Sequence, residues 1–344
     1  MRILITSSSN KDTIAGYYSQ YLATNPGIEL VPVYTFDVEE GPGHNNPSQR
    51  IIRKVFPQQM TRQVSAMLEE AVEEHQPDVV IVIKGMHIHP DMLSRLGGRG
   101  VFLVNYNPDH PLKFETKASG NQNILKALQY YHLVFTYSPV IKDALEATGN
   151  SFKTAVLPFG YQPSPYTENN LNDVEIVRRV CFAGTGDKDR AILISKLLKH
   201  KIPVDVYGHG YHRWLKKGEK FLNLYSGVFG NMYFQNLQSH AVSLNLYRQQ
   251  NKGSHNMRSF EIPSVGGLQV VEYSAQMSGF FEDQKEVFMY RDDHELIKSI
   301  HMLLNTSDQE IRELKMGARE KAIQAKYSYA DRAKEMVSII ESSI

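Results

Sequence analysis

The sequence predicts an α/β protein made of two doubly wound, parallel-sheet domains that face a central cleft. Short, apolar, β-rich runs alternate with helix-like segments along the whole chain, which is the pattern of parallel strands covered by helices on both faces. The alternation stops once, in a stretch rich in proline, asparagine and aspartate at residues 157–175. At 344 residues, the chain also exceeds the size at which a single core usually stops growing.

Five strands are predicted in the first half of the chain. Their apolar runs lack strict alternation with polar residues, so we expect both faces of this sheet to be buried. The predicted strands are Arg2–Thr6, Leu30–Tyr34, Val79–Ile83, Val101–Asn105 and Leu133–Tyr137. The predicted helices are Lys11–Thr24, Gln59–Glu74, Gln122–Tyr130 and Pro139–Ala147.

The second half repeats this pattern after the interruption. Its predicted strands are Val177–Ala183, Val204–Tyr207, Val242–Leu246, Gln269–Tyr273 and Val287–Tyr290. Its predicted helices are Asp189–Lys199, Met232–Ser239, Ser259–Val265, Asp293–Leu304 and Asp308–Gln324. A last amphipathic helix is predicted at Ala330–Ile340, with its apolar residues on one stripe.

Four segments follow from these patterns. We expect an N-terminal domain over residues 1–157 and an exposed linker over 158–175. A C-terminal domain is expected over 176–326, followed by a separate helical segment over 327–344. Ligands of such open sheets bind outside the carboxyl ends of the strands, so the chemistry is expected at the turns that follow the strands.

Composition and charge narrow the function classes. The 38 Lys and Arg residues nearly cancel the 37 Asp and Glu residues, so no global field favours nucleic acid or an acidic membrane. The single cysteine, Cys181, lies in an apolar run, which indicates a buried thiol and a reducing compartment. The sequence shows neither a signal peptide nor a run of about 18 apolar residues, so we expect no transmembrane segment and a cytoplasmic location.

The stretch Ser254–Tyr273 holds the clearest candidate for a binding site. Arg258 and Glu261 lie one turn apart near the start of a predicted helix, and Gly266 with Gly267 is expected to end that helix in a left-handed cap. A helix start and a guanidinium both suit phosphate, whereas a carboxylate suits two vicinal ribose hydroxyls. This pattern favours a nucleotide. The alternative is that Arg258 and Glu261 form an ordinary surface ion pair.

Two further glycine-rich turns follow predicted strands. In Val180–Ala191, Gly184 and Gly186 allow a tight turn whose N–H groups face a diphosphate, and Arg190 follows within reach. In Val204–Trp214, the strand ends at Tyr207 and Gly208, and the loop after it is a candidate wall for a base pocket. Each of these segments is equally compatible with an ordinary turn.

The first domain offers candidates for acid–base chemistry. Asp109 and His110 follow the fourth predicted strand, and His87 and His89 follow the third. Any of them could act as a general base or stabilise a positively charged transition state, although Asp109 in Pro-Asp-His-Pro is also a common turn former. No ligand spacing typical of a metal site is found, so we expect no metal and no cofactor.

Motifs in a fixed order extend over nearly the whole chain. They are Asn107-Pro-Asp-His110, Thr136-Tyr-Ser-Pro139, Leu157-Pro-Phe-Gly-Tyr161, Phe182-Ala-Gly-Thr185 with Arg190, Tyr207-Gly208, and Asn256-Met-Arg-Ser-Phe-Glu261 followed by Gly266-Gly267. This ordered set resembles the GT-B fold glycosyltransferases, and more closely the CgeB-like (spore maturation protein) branch of the group 1 glycosyltransferases.

The resemblance implies two Rossmann-like domains, an acceptor site in the first, a nucleotide-sugar donor site in the second, and a last helix that crosses back to the first. Carried over by position, Glu261 would hold the ribose, and Arg190 and Arg258 the diphosphate. The other positions implied in donor binding are Gly184, Thr185, Tyr207, Gly208, Ser254 and Asn256. Asp109, His110, Arg190 and Arg258 are the expected catalytic residues, with the nucleotide sugar as substrate.

One position departs from the broader family. Group 1 glycosyltransferases have a glutamate eight residues before the ribose-binding one, and this chain has Gly253 there. Three functions therefore stay open: metal-independent transfer of a sugar to a hydroxyl acceptor, an epimerase or hydrolase acting on a nucleotide sugar, and a non-catalytic nucleotide-sugar-binding protein. The acceptor, whether glycan, lipid-linked or protein, is not identified by the sequence.

Overall fold

The computed structural model describes residues 1–40, 57–114, 119–216 and 218–344. The chain divides into two units. Unit 1 comprises Met1–Pro158 together with Tyr329–Ile344, and unit 2 comprises Phe159–Ser328. Each unit is built around one six-stranded sheet in which every pairing of neighbouring strands is parallel.

The sheet of unit 1 has the strand order β2-β1-β3-β4-β5-β6. Its strands are β1 Arg2–Thr6, β2 Glu29–Val33, β3 Val79–Ile83, β4 Phe102–Asn107, β5 Leu133–Thr136 and β6 Lys153–Val156. The described helices that precede unit 2 are α1 Ile14–Leu22, α2 Thr35–Glu40, α3 Pro57–His75, α4 Pro90–Gly98, α5 Gln122–Ala127 and α6 Pro139–Glu146. All five residues of β3 are buried, as expected for a central strand with helices on both sides.

The sheet of unit 2 has the order β12-β11-β10-β7-β8-β9. Its strands are β7 Val177–Ala183, β8 Val204–Tyr207, β9 Leu222–Tyr225, β10 His240–Asn245, β11 Gln269–Glu272 and β12 Phe288–Tyr290. Its helices are α7 Lys188–Lys199, α8 Gly230–Ser239, α9 Arg258–Ser264, α10 Ala275–Phe280, α11 Asp293–Asn305 and α12 Asp308–Gln324. The carboxyl ends of β7 and β8 lie side by side, because Ala183 pairs with Tyr207 in the register.

The last helix, α13 Tyr329–Glu341, packs in unit 1 against α1. The rings of Tyr17 and Tyr329 stack with their centroids 4.8 Å apart, and Tyr18 contacts Tyr329 edge-on. Tyr329, Ala333, Met336, Val337 and Ile340 are buried on the face of α13. This face is the apolar stripe that the sequence predicts, because these residues recur at helical spacing.

Residues 159–175 differ from the exposed linker that the sequence predicts. They belong to unit 2, where Leu171 is only 2% exposed. Asn169 exchanges hydrogen bonds with the Gln238 side chain, and Arg319 donates to the Asn169 carbonyl. Asn169 and Leu171 therefore fix this stretch to the second sheet domain.

The described residues contain no helix that is both long and apolar enough to cross a membrane.

Candidate functional site

Two glycine turns at the carboxyl edge of the unit 2 sheet form the floor of the candidate site. The turn after β7 contains Gly184, Thr185 and Gly186, and the turn after β8 begins at Gly208. The N–H of Gly184 donates to the Tyr207 carbonyl at 2.9 Å, and the N–H of Gly186 donates to the His209 carbonyl at 2.8 Å. Hydrogen bonds thus join the two turns side by side at the carboxyl edge of the sheet. This edge is where open sheets bind their ligands.

Arg190 lies behind the first turn and is only 5% exposed. Its Nη1 donates to the Thr185 carbonyl at 2.9 Å, and its Nη2 donates to the Leu246 carbonyl at 3.0 Å. Its Nε is 3.4 Å from the carboxylate of Asp187, which also caps α7. Burial and the neighbouring charge of Arg258 lower the pKa of Arg190 to about 10, so its guanidinium is charged at neutral pH.

Arg258 lies beside the same turn. Its Nη2 is 3.4 Å from the position that a Cβ would take on Gly184. The side chain is half-buried, and its Nε has no hydrogen-bond partner among the described residues. Two like charges therefore lie beside one turn, and the neighbouring charge contributes to the lowered pKa of Arg190. Such an arrangement favours an anion between or beside the two guanidiniums.

Glu261 lies one helical turn beyond Arg258. Its Oε2 accepts a hydrogen bond from the Tyr233 hydroxyl at 2.9 Å. Burial raises its pKa above the ordinary value, although the positive charge of Arg258 acts in the opposite direction. Arg258 and Glu261 interact through their charges, but these two described residues form no ion pair, so the alternative of a surface ion pair is not what the structure forms. One carboxylate oxygen remains for another donor.

Ser254 and Asn256, which are expected in donor binding, have side chains that are engaged within the protein. Ser254 is 2% exposed, and its hydroxyl donates to Gln276. The Asn256 amide exchanges hydrogen bonds with Asn245, and its Oδ1 accepts the N–H of Ser259. Buried polar groups need hydrogen-bond partners, and the partners of these two side chains stabilise the turn before α9.

The start of α9 also differs from the prediction of open N–H groups. The N–H of Ser259 donates to the Asn256 carbonyl, and those of Phe260 and Glu261 donate to the Met257 carbonyl. These three donors are engaged inside the turn, so any anion here is held by side chains more than by the helix end. Gly266 has φ +72°, which confirms a left-handed end of this helix.

Tyr207 and Thr185 lie at the rim of the site. The Tyr207 ring stacks on that of Tyr225, with centroids 4.8 Å apart and planes inclined by 12°. Thr185 is exposed, and its carbonyl accepts the bond from Arg190 and a longer one, 3.5 Å, from the Tyr211 hydroxyl. A pocket of about 570 Å³ opens beside them, between the loops that follow β8 and β9. This pocket occupies the place at which the sequence suggested a base-binding wall.

Tyr233 and Leu246 make contacts in the site that the sequence does not predict. Tyr233 lies 28 positions before Glu261, and the Leu246 carbonyl lies 56 positions after Arg190. Neither residue belongs to a glycine turn or to a charged motif, so only the folded chain shows these contacts. A tyrosine at this place on α8 carries no pattern that distinguishes it from a packing residue.

The acid–base candidates of unit 1 are not free side chains. The Asp109 carboxylate pairs with Lys84 at 2.7 Å, each side chain being 18% exposed. His110 is 9% exposed, and its Nδ1 accepts the N–H of Leu112 at 3.2 Å. Burial lowers the pKa of His110. Both residues thus have partners within unit 1, and their catalytic role stays a prediction. His87 and His89 line a separate pocket in this unit.

The described part of the chain contains no group of three or more His, Cys, Asp or Glu side chains arranged to hold a metal ion. Cys181 is buried in β7, and burial raises the pKa of its thiol. The prediction of a buried strand thiol is confirmed.

Comparison with known proteins gives a partial family match. Residues 190–338 match the model of a family described as glycosyl transferase-like. This segment includes Arg190, Arg258 and Glu261. No curated protein matches the chain significantly.

Solved structures match over the whole length of the chain. Sucrose-phosphate synthase from Thermosynechococcus elongatus is 12% identical with a TM-score of 0.66, covering 99% of this chain and 98% of that one. Anabaena HepE in complex with UDP is 13% identical with a TM-score of 0.62, covering 99% and 100%. UDP-GlcNAc 2-epimerase from Neisseria meningitidis, bound to UDP-GlcNAc, is 13% identical with a TM-score of 0.57, again covering 99% and 100%.

These likenesses, together with the two six-stranded parallel sheets, confirm the predicted fold class of two Rossmann-like domains of GT-B type. The chain has a glycosyltransferase-like fold, and structures of similar fold have been determined with UDP or a UDP-sugar.

Proposed function

We propose that this protein is a metal-independent glycosyltransferase of group 1, in the CgeB-like branch, that transfers a sugar from a nucleoside diphosphate to a hydroxyl acceptor. The partial family match and the fold support the general class. The donor is the substrate, and no further cofactor is required. The single buried cysteine and the absence of a membrane-spanning helix among the described residues are compatible with activity in the cytoplasm.

The observation that supports this function best is the arrangement of Arg258 and Arg190 around the turn at Gly184. The Nε atoms of both arginines lack a hydrogen-bond partner among the described residues, but Arg190 is also held by two backbone carbonyls and lies beside the Asp187 carboxylate. A partly buried guanidinium without a partner is unfavourable unless a ligand supplies the acceptor. A diphosphate supplies both the oxygens and the negative charge that this site needs.

During sugar transfer, negative charge develops on the diphosphate, which we place beside this turn. The bond between the anomeric carbon and the diphosphate breaks, and its electron pair goes to the diphosphate oxygen. The acceptor oxygen forms the new bond to the anomeric carbon, and its proton is released together with the nucleoside diphosphate. Arg258 stabilises the charge that develops on the leaving group, and Arg190 adds a second positive charge behind the turn.

Glu261 is proposed to hold the ribose of the donor. Its Oε2 is engaged by Tyr233, which fixes the carboxylate in one orientation. The other oxygen is then available to a ribose hydroxyl. Arg258 next to it would contact the phosphate attached to that ribose, so the order of the two residues along α9 matches the order of groups in a nucleotide.

Calorimetry with UDP, GDP, TDP and ADP tests the proposal. We expect at least one of these to bind with a micromolar or lower Kd, and binding to persist in EDTA. The selected nucleotide, linked to radiolabelled sugars, is then assayed for transfer to hydroxyl acceptors. Absence of binding by all four nucleotides would contradict the proposed donor site, and activity abolished by EDTA would contradict metal independence.

An epimerase acting on a nucleotide sugar is the second candidate. It is favoured by the similarity in fold to UDP-GlcNAc 2-epimerase over the full chain. Incubation with UDP-GlcNAc and no acceptor separates the two functions. A rearranged sugar supports the epimerase, whereas unchanged UDP-GlcNAc together with transfer to an added acceptor supports the transferase.

A further inference from the structure

Large apolar side chains are exposed on unit 2, on and beside the loops that follow β8 and β9. Trp214 is 40% exposed, Tyr225 45%, Phe229 82% and Met232 62%. Apolar side chains that are exposed singly are normal on a protein surface, whereas a contiguous patch marks contact with a membrane or another molecule. These four residues form such a patch if they lie on one face.

The loops after β8 and β9 contact each other and form one face. A Cβ placed on Gly227 would lie 3.1 Å from the Nε2 of His209 and 3.6 Å from the Cε2 of Phe229. His209 follows β8, whereas Gly227 and Phe229 follow β9. Tyr225 and Lys216 line the same pocket of about 570 Å³ between these two loops. The exposed ring of Phe229 therefore belongs to a face that also carries basic residues of the loop after β8.

This face is positively charged. Arg213 and Lys216 are exposed, and neither forms an ion pair with any residue that the structure describes. Residues 208–218 and 226–236 contain no aspartate and no glutamate, and Lys217 adds a third basic residue in the sequence. No carboxylate of these two stretches therefore neutralises the charge beside the exposed apolar side chains.

We propose that this face binds a membrane that contains anionic lipids. Basic side chains near an anionic leaflet are attracted to its headgroups, and tryptophan and tyrosine are enriched where hydrocarbon meets water. Aromatic and other apolar side chains enter the boundary between headgroups and acyl chains. The inference goes beyond the proposed function, because it assigns a partner to a face of unit 2 whether or not a sugar is transferred. This aromatic–basic surface comprises Arg213, Trp214, Lys216, Tyr225, Phe229 and Met232.

The composition of the aromatic–basic surface favours lipid over nucleic acid. The phosphates of a nucleic acid would also attract Arg213 and Lys216, and a base can stack on an exposed ring such as that of Phe229. Met232, however, has a thioether side chain with no hydrogen-bond donor and no charge to offer a nucleic acid. A hydrocarbon layer accommodates aromatic and thioether side chains together, and its anionic headgroups match the cations beside them.

Co-sedimentation of the full chain with vesicles tests this assignment. One set of vesicles contains about 30% phosphatidylglycerol in phosphatidylcholine and the other contains phosphatidylcholine alone, each at about 0.1 M and about 0.5 M NaCl, because salt screens exposed charges. The variants are Phe229→Ser and the double variant Arg213→Glu/Lys216→Glu. The matched controls are Val140→Ser, which removes a 60% exposed apolar side chain of α6, and Lys298→Glu, which reverses an exposed charge of α11.

The wild type and both controls should sediment with the anionic vesicles and not with the neutral ones, and the higher salt concentration should weaken binding. The partition coefficient should fall about fivefold or more in Phe229→Ser and in the double variant. The inference is overturned if the wild type binds neither kind of vesicle, if it binds both kinds equally, or if both surface variants bind as the wild type does.

Two further measurements identify other occupants of this surface. Fluorescence anisotropy with single-stranded DNA detects a nucleic acid, and sedimentation velocity of the protein alone detects a second copy of the chain. DNA binding that the double variant abolishes, without any binding to anionic vesicles, overturns the inference. A dimer that Phe229→Ser dissociates, again without vesicle binding, overturns it as well.

Discussion

Gly208 lies so close to Gly184 that a Cβ on Gly208 would be 2.0 Å from the Gly184 carbonyl oxygen. A carbon and an oxygen that are not bonded to each other cannot approach to that distance. Neither the Cβ nor the carbonyl oxygen can move away as the end of a flexible side chain could. The close contact joins the turn after β8 to the turn beside Arg258. Any side chain at Gly208 must therefore displace the floor of the candidate donor site.

Replacement of Gly208 by alanine is expected to weaken nucleoside diphosphate binding tenfold or more, because the Gly184 turn moves away from the two arginines. Calorimetry with UDP and GDP measures the effect. The matched control is Gly279→Ala, since no atom lies within 4 Å of a Cβ at that helical position. A Gly208→Ala variant with the affinity of the wild type would show that this turn does not contact the nucleotide.

Arg258 and Arg190 are expected to respond differently to replacement by methionine. Arg258→Met should reduce kcat about 10²- to 10³-fold, the usual effect of losing one group that stabilises developing negative charge, with little change in Tm. Arg190→Met should reduce activity and also lower the free energy of unfolding by about 1.5–3 kcal/mol, because buried hydrogen bonds to Thr185 and Leu246 are lost.

Thermal unfolding and initial rates measure these two quantities. The control is Arg95→Met, which removes an exposed arginine paired with Glu69 in unit 1. Turnover equal to that of the wild type in Arg258→Met would contradict the role of its guanidinium at the leaving group.

Glu261 is expected to discriminate ribose from 2′-deoxyribose. A hydrogen bond from a ribose hydroxyl to a charged carboxylate contributes about 1.5–3 kcal/mol, so UDP should bind about tenfold or more tightly than 2′-deoxy-UDP in the wild type. Glu261→Ala should bind the two nucleotides equally. Glu282→Ala, which removes an exposed carboxylate of the same unit, is the control. Equal discrimination in Glu261→Ala and the wild type would exclude contact with the 2′-hydroxyl; GDP and 2′-deoxy-GDP provide a second pair.

Lys315 is expected to make stability depend on pH. It is 1% exposed, and its Nζ donates to the His240 and Gln238 carbonyls. Burial lowers its pKa from 10.5 to about 7. The unfolded chain therefore binds the extra proton between pH 7 and 10.5, so the contribution of Lys315 to stability increases as pH rises through this range and decreases as pH falls towards 7.

Chemical denaturation of the wild type and of Lys315→Met at pH 6, 7, 8, 9 and 10 tests this expectation. The difference in free energy of unfolding should shift in favour of the wild type as pH rises. The control is Lys298→Met, which removes an exposed lysine of α11. A difference for Lys315→Met that stays constant with pH would show that the ammonium has the same pKa in the folded and unfolded chain.

The strands that the sequence reveals are the ones with continuous apolar runs. β3 has the predicted bounds and all five of its residues are buried, and β7 also has the predicted bounds, with its last four residues buried. The missed strands, β6 and β9, lie at sheet edges. Edge strands have one unpaired side and are partly exposed here, so their sequences, KTAV and LNLY, lack a distinctive apolar run. Helix α4 is not predicted, because it has only nine residues and two of them are glycines, which are poor helix formers.

For the candidate site, the sequence identifies charged and glycine residues better than their roles. The sequence predicts that Arg190, Arg258 and Gly184 lie close together, because motifs that follow neighbouring parallel strands meet at one edge of the sheet. It does not show that Asn256 is used by the Asn245 amide or that Asp109 is paired with Lys84. Those contacts join residues distant in sequence, and a short polar side chain has the same pattern whether it binds a ligand or a neighbouring strand.

Helix α13 belongs to unit 1 although unit 2 separates it from the rest of that unit along the chain. During synthesis, residues 1–158 leave the ribosome long before Tyr329, Met336 and Ile340, which cover α1. Unit 2 can complete its core first, because its sequence is continuous. Unit 1 acquires its last layer only when the final helix has been translated, so the face of α1 that packs against α13 stays uncovered until then.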